Sequence, residues 1–193
     1  MSEHVEAYFK TLGRLPYAVC CHDGNDAELS LGDAIGRFVT LARGVHETGN
    51  KVMFIGNGGS AGIASHMAID YSKNGNIRSQ AFNDSSALTC LGNDLGYENV
   101  FSKQIELHAR PGDLLVAISS SGNSENILGG VSQARESGCQ VITLSGFGED
   151  NRLRGLGNIN FYVPSQEYGF VEITHLALCH CVVDFAMGWH PEI

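Results

Sequence analysis

Apolar residues along this chain follow two rhythms: short uninterrupted runs, and longer stretches with helical spacing. The runs read as strands buried on both faces, and recurrences every three or four residues read as amphipathic helices. Val5, Tyr8, Phe9 and Leu12 mark a first helix, with a break near Gly13 and Pro16. Ile35, Phe38, Val39, Leu41, Ala42 and Val45 mark a second, from Leu31 to about Glu47, capped by Ser30 and ended by Gly49-Asn50. The polar stretch from His22 to Ser30 reads as a turn, so two helices precede the first strand. Strands follow at Lys51–Ile55, Ser79–Asn83, Leu114–Ile118, Gln140–Leu144 and Ile159–Val163. Between them come helices at about Ala61–Lys73, on either side of Asn93-Asp94-Leu95-Gly96, and behind Ser124, with a short helical piece near Asn151–Leu156. This alternation predicts an α/β fold, a doubly wound and mainly parallel sheet. The closing stretch from Tyr168 to Met187 is apolar nearly all round and must be buried in a core or a subunit interface.

Two of the strand-to-helix turns carry candidate chemistry. After Ile118 come Ser119, Ser120, Ser121, Gly122, Asn123 and Ser124, hydroxyls and free backbone N–H groups crowded at a helix N-terminus. Such an end attracts an anion. The turn has no lysine and no Walker pattern, so a phosphate monoester suits it better than a nucleoside triphosphate. The earlier turn, Gly56-Asn57-Gly58-Gly59-Ser60, is a partial echo of it. Both lie at the carboxyl ends of strands, where open parallel sheets bind ligands.

Three further groups stand out on helices. His66 and Asp70 share one helix face, a spacing that serves a divalent metal, acid–base work or a plain surface hydrogen bond. In the closing helix, Glu172 needs a partner, and His175 three residues on is one candidate. Glu172 and His180 are eight residues apart, roughly 12 Å along a helix, a long reach for a single ion. Asn93 and Asp94 read either as a turn or as acceptors for sugar hydroxyls.

Composition narrows the partners. At 193 residues the chain suits one α/β domain with a helical extension. Its net charge of −9, with no Lys/Arg run, argues against nucleic acid. It has no long unbroken apolar run and no signal-like N-terminus, so neither a membrane span nor export is expected, and a cytoplasmic location is. The six cysteines show no CxxC pair and read as free thiols, most of them buried. His4, His22 and His46 are read as solvated.

The GNGGS turn followed by His66, Gly92-Asn93-Asp94, the SSSGNS turn and the closing helix with His180 occur in an order that resembles the sugar isomerase (SIS) domain. Within it, the chain resembles the phosphoheptose isomerase family, over about Lys51 to Asp184. The resemblance implies a SIS fold with a five-stranded parallel sheet over residues 51–193. Residues 1–50 would supply N-terminal helices for packing or oligomerisation, and the assembly would be a homotetramer with sites at subunit interfaces. The implied reaction converts sedoheptulose 7-phosphate to D-glycero-D-manno-heptose 7-phosphate by enediol proton transfer, for nucleotide-activated heptose and surface polysaccharide. Ser119, Ser120, Ser121 and Ser124 would hold the phosphate. Asn57, Gly58, Gly59 and Ser60 would line the sugar, with Asn93, Asp94 and Glu172 touching it. His66, Asp70, Glu172 and His180 would bind one zinc per subunit, with Asp70 as base and His180 as its acid/base partner.

The chain departs from the family pattern at several of these positions. Asp70 replaces Glu, Glu172-Ile173 replaces Gln-Glu, and Gly169 replaces Asp. Two histidines and two carboxylates remain a sound zinc set, while the base is one methylene shorter. A non-catalytic reading, a phosphosugar-binding or scaffold protein resembling the DnaA initiator-associating protein, competes with the enzyme. Retention of His66, Asp70 and His180 speaks against it. A SIS regulatory module would bring a DNA-binding domain, and none fits in this chain.

Overall fold

The computed structural model describes residues 1–191. Its sheet has seven strands in the order β2-β1-β7-β6-β5-β3-β4. Five of them are parallel: β3 (Val52–Gly56), β4 (Ser79–Ala81), β5 (Leu114–Ser119), β6 (Gln140–Ser145) and β7 (Ile159–Tyr162). These are the five predicted strands, within a residue or two at each end.

The other two strands correct the expectation of a five-stranded sheet. β1 (Cys20–Asp23) lies antiparallel against β7, and β2 (Glu28–Leu29) lies antiparallel against β1. The segment read as a polar turn is therefore largely a hairpin, and only one helix precedes the first strand. Asp23 closes that hairpin by accepting the backbone N–H groups of Asn25 (2.8 Å) and Ala27 (3.1 Å). Those two bonds hold its carboxyl below the usual range.

Side chains alternate along the central strands and fill two cores, one on each face. Val52, Phe54, Leu114, Val116 and Ile118 face α1 (Ser2–Ala18), α2 (Leu31–Glu47), α3 (Gly58–Lys73) and α7 (Tyr168–Ala186). Met53, Ile55, Leu115 and Ala117 face α4 (Ser85–Leu95), α5 (Val100–His108) and α6 (Glu125–Glu136). Ala34, Ile35, Phe38, Ala42 and Val45 of α2 sit in the first core, so β1 and α2 are continuous with the structure that follows Lys51. Ser30 caps α2 as expected, accepting the Asp33 N–H at 3.1 Å. Helix α1 runs through Gly13 and Pro16, where a break was expected, and ends two residues after Pro16 at Ala18.

Helix α7 has the length and apolarity of a membrane span, yet it packs on α1, α2 and α3 as a core helix. Val171, His175, Leu178, Cys179 and Val182 are buried in it. All six cysteines are free; burial pushes the Cys21 and Cys179 thiols up to about 12 and Cys139 up to about 11, which makes them inert. His46 is less solvated than expected, since its Nδ1 accepts the Arg78 N–H at 3.2 Å.

Candidate active site

The first turn joins β3 to α3 with Asn57 alone between them. This abrupt reversal needs Gly56, because a Cβ there would lie 2.5 Å from the Ser60 carbonyl carbon and oxygen. Gly59 meets a different neighbour, the carboxylate of Glu172, which lies where a side chain at 59 would begin. The closing helix therefore delivers Glu172 to the N-terminal turn of α3. Glu172 does not pair with His175, which turns into the core instead.

Helices α3 and α7 run side by side in the same sense, so further contacts appear in step. His180 meets His66 with Nε2 atoms 3.3 Å apart, and Tyr71 Oη donates to the Cys179 carbonyl at 3.2 Å. Asp70 Oδ2 lies 3.5 Å from His66 Nε2 and 3.8 Å from His180 Nδ1. His66, Asp70 and His180 thus offer one ligand atom each within 4.8 Å of one another, a group able to hold a metal ion. All three come from one chain. Glu172 lies two helical turns away, at Gly59, and is not in this cluster.

The second turn is roomier. Ser120, Ser121, Gly122, Asn123 and Ser124 separate β5 from the first residue of α6. Ser119 Oγ accepts the Gly122 N–H at 3.1 Å, and Ser121 Oγ accepts that of Asn123 at 3.3 Å. Ser124 caps α6 through its backbone only, leaving its side chain out of the cap. Ser120 is 5% exposed and its hydroxyl has no partner. A buried, unpaired hydroxyl beside a helix N-terminus is what a bound anion satisfies.

Behind this turn, His175 Nε2 donates to the carbonyl of Ser145, the residue paired with Ser119 in the sheet, at 3.0 Å. Complete burial pushes the His175 pKa down to about 4 and keeps the ring neutral. Asn93 and Asp94 lie in the last turn of α4 rather than in a loop, exposed and bonded to each other at 2.8 Å.

Two residues were not anticipated. Asn126, in the first turn of α6, exchanges two 2.9 Å hydrogen bonds with Asn57, and Tyr97 Oη donates to Asn57 Oδ1 at 3.0 Å. The only sequence signal for Asn126 is an amide beside the buried Ile127 and Leu128.

Comparisons with known proteins bear on this arrangement. A family model described as "SIS domain" matches residues 27–146. The phosphoheptose isomerase of Rhodospirillum rubrum is 37% identical over 169 residues, covering 83% of this chain and 89% of that protein. The phosphoheptose isomerase of Akkermansia muciniphila is 36% identical, covering 84% and 88%. The solved structure of phosphoheptose isomerase GmhA from Neisseria gonorrhoeae superposes with a TM-score of 0.83 at 31% identity, covering 96% of this chain and 98% of that one. This chain belongs to the phosphoheptose isomerase family. Within the phosphoheptose isomerase fold, its two serine- and glycine-bearing turns stand at the carboxyl ends of neighbouring strands β3 and β5, with the His66–Asp70–His180 group on the α3/α7 seam beside them.

Proposed function

We propose that this protein interconverts sedoheptulose 7-phosphate and D-glycero-D-manno-heptose 7-phosphate, acting in the cytoplasm to supply heptose for nucleotide activation and surface polysaccharide. The observation that carries this reading is the pairing of an unsatisfied anion turn with a His–Asp–His group in a member of the phosphoheptose isomerase family.

Ser119, Ser120, Ser121 and Ser124 hold the phosphate, with the α6 dipole behind them. Asn57, Gly58, Gly59, Ser60 and Glu172 border the sugar, and Asn93 and Asp94 reach its hydroxyls from α4. Zinc suits two imidazoles and a carboxylate; His66, Asp70 and His180 would hold it, while Glu172, eight residues before His180 on the same helix, stays with the sugar at Gly59. When bound, such an ion would supply Lewis-acid polarisation of the sugar oxygens. Asp70 removes a proton from C1 of the ketose while His180 gives one to the C2 carbonyl oxygen, forming the enediol. Asp70 then returns its proton to C2 while His180 takes the O1 proton, which yields the aldose.

Helix α1 and the outer face of α2 serve assembly, in a homotetramer. An apolar groove of about 650 Å³ between α1, α2 and α7, lined by Tyr17, Ile35, Val39 and Phe185, supports this role. So do Val5, Tyr8 and Phe9, exposed on α1.

The test is proton exchange with sedoheptulose 7-phosphate in D₂O, with and without chelator and added zinc. Deuterium at C2 of a heptose product, lost in Asp70→Ala and His180→Ala, is the expected result. A zinc-loaded protein that binds the sugar phosphate and exchanges no proton would sink the assignment.

A further inference from the structure

We infer that Asn126 and Tyr97 form a clamp that locks the sugar-facing first turn to the phosphate-facing second, and that they are positioning residues for the reaction. The inference deepens the isomerase reading and rests on it for its turnover arm.

The two turns leave neighbouring strands, β3 and β5, and no backbone hydrogen bond spans them directly beyond the sheet. What joins them is a side-chain bridge. Asn57, the residue between β3 and α3, and Asn126, in the first turn of α6, pair amide to amide with both bonds at 2.9 Å. Asn126 is 2% exposed, so an unpaired amide there carries the full cost of desolvation. Tyr97, from the 3-10 turn after α4, adds a third bond to Asn57 Oδ1 at 3.0 Å. Both lone pairs of Asn57 Oδ1 are then used, and one Asn57 N–H remains to meet an oxygen acceptor on the ligand.

A ligand with its phosphate in the second turn and its reacting carbons near the first spans this joint. Fixing the joint fixes the distance between phosphate and reacting carbons, and misplacement by about 1 Å is enough to slow chemistry a hundredfold. Inorganic phosphate touches only the second turn and is blind to the joint. That difference separates positioning from plain structural support.

The experiment compares Asn126→Ala and Tyr97→Phe with the unaltered protein, measuring inorganic phosphate affinity and steady-state isomerisation of sedoheptulose 7-phosphate. Tyr97 is 58% exposed, so its variant keeps the fold even where Asn126→Ala does not. The expected result is phosphate affinity within twofold, with kcat lower by about fivefold for Tyr97→Phe and about thirtyfold for Asn126→Ala. Equal losses of phosphate affinity and kcat would reduce the bridge to scaffolding, and unchanged kinetics in both variants would overturn it. Absence of turnover in the unaltered protein would count against the isomerase reading alone. The clamp is then decided by a double-mutant cycle of Asn57→Ala and Asn126→Ala on urea unfolding. Coupling of about tenfold in the folding equilibrium supports it, and additivity overturns it.

Discussion

The two turns that leave β3 and β5 look alike in sequence and are built for opposite tasks. The first is tight, one residue long, and has a protein carboxylate, Glu172, already at its helix N-terminus. The second is five residues long, has no acidic side chain before Glu125, and buries an unpaired serine hydroxyl. Both helices present a positive end; α6 carries Glu125 in its own first turn, but Arg152 neutralises that carboxylate, which leaves the end open to an anion from outside. On the proposed function, the difference sets the direction in which a sugar phosphate lies across the site. A Gly/Ser-rich turn is therefore not a phosphate site by composition; what decides is whether the protein has filled it with a charge of its own.

The tightness of the first turn is the feature easiest to break. Gly56→Ala drives a methyl into the backbone of Ser60, so the turn must open. A loss of about 3 kcal/mol in urea unfolding is expected, and a loss below about 1 kcal/mol would mean the turn is slack. The second turn is undermined from behind, through pH. His175 has a folded-state pKa of about 4 against an ordinary 6.5, so the unfolded chain binds the proton first as pH falls. Stability held above pH 6.5 is lost progressively down to about pH 4, by about 3 kcal/mol in full. Unfolding measured across that window for the unaltered chain and His175→Phe checks this. The slope should flatten in the variant, and an equal slope in both would remove His175 as its source.

Much of this architecture was legible in the sequence, for a physical reason. Strands β3 and β5 are buried on both faces and are written as apolar runs that need no partner to be recognised; β6 and β7 are nearly so, with Thr143 and Asn160 as a buried polar pair. Strand β1 was missed because only Cys21 in Cys-Cys-His-Asp is fully buried; its extended form comes from pairing with β7, which no local pattern encodes. The same division runs through the site. The serine turn and the His66–Asp70 pair are local and were readable, whereas His180 joining them depends on how α3 and α7 pack. That packing also carries Glu172 away from the cluster that the family resemblance implied for it. The Asn57–Asn126 bridge spans 69 positions, and an amide beside the buried Ile127 and Leu128 does not say which residue it meets.

Ser120→Ala tests the second turn on the ligand's side. The hydroxyl has no partner in the protein, so its removal should leave stability nearly unchanged or slightly raised. A bond from this hydroxyl to a charged phosphate is worth enough that affinity for inorganic phosphate should fall about tenfold by calorimetry. Loss of stability with affinity intact would mean that the hydroxyl serves the fold.

The smallest expected effect is the most informative about direction. Glu172→Gln keeps the size of the side chain against Gly59 and removes only its charge. Helix α3 then loses an anion at its N-terminus, which should cost less than about 1 kcal/mol. If the Glu172 charge is what keeps phosphate out of the first turn, its removal opens a second, weaker anion site there. A phosphate titration followed by ³¹P NMR should go from one site per chain to two, with Ser120→Ala weakening the stronger about tenfold and sparing the weaker. A titration that stays at one site, with the same affinity, would mean that the tight backbone and not the carboxylate excludes the anion, and orientation across the site would then be set by shape.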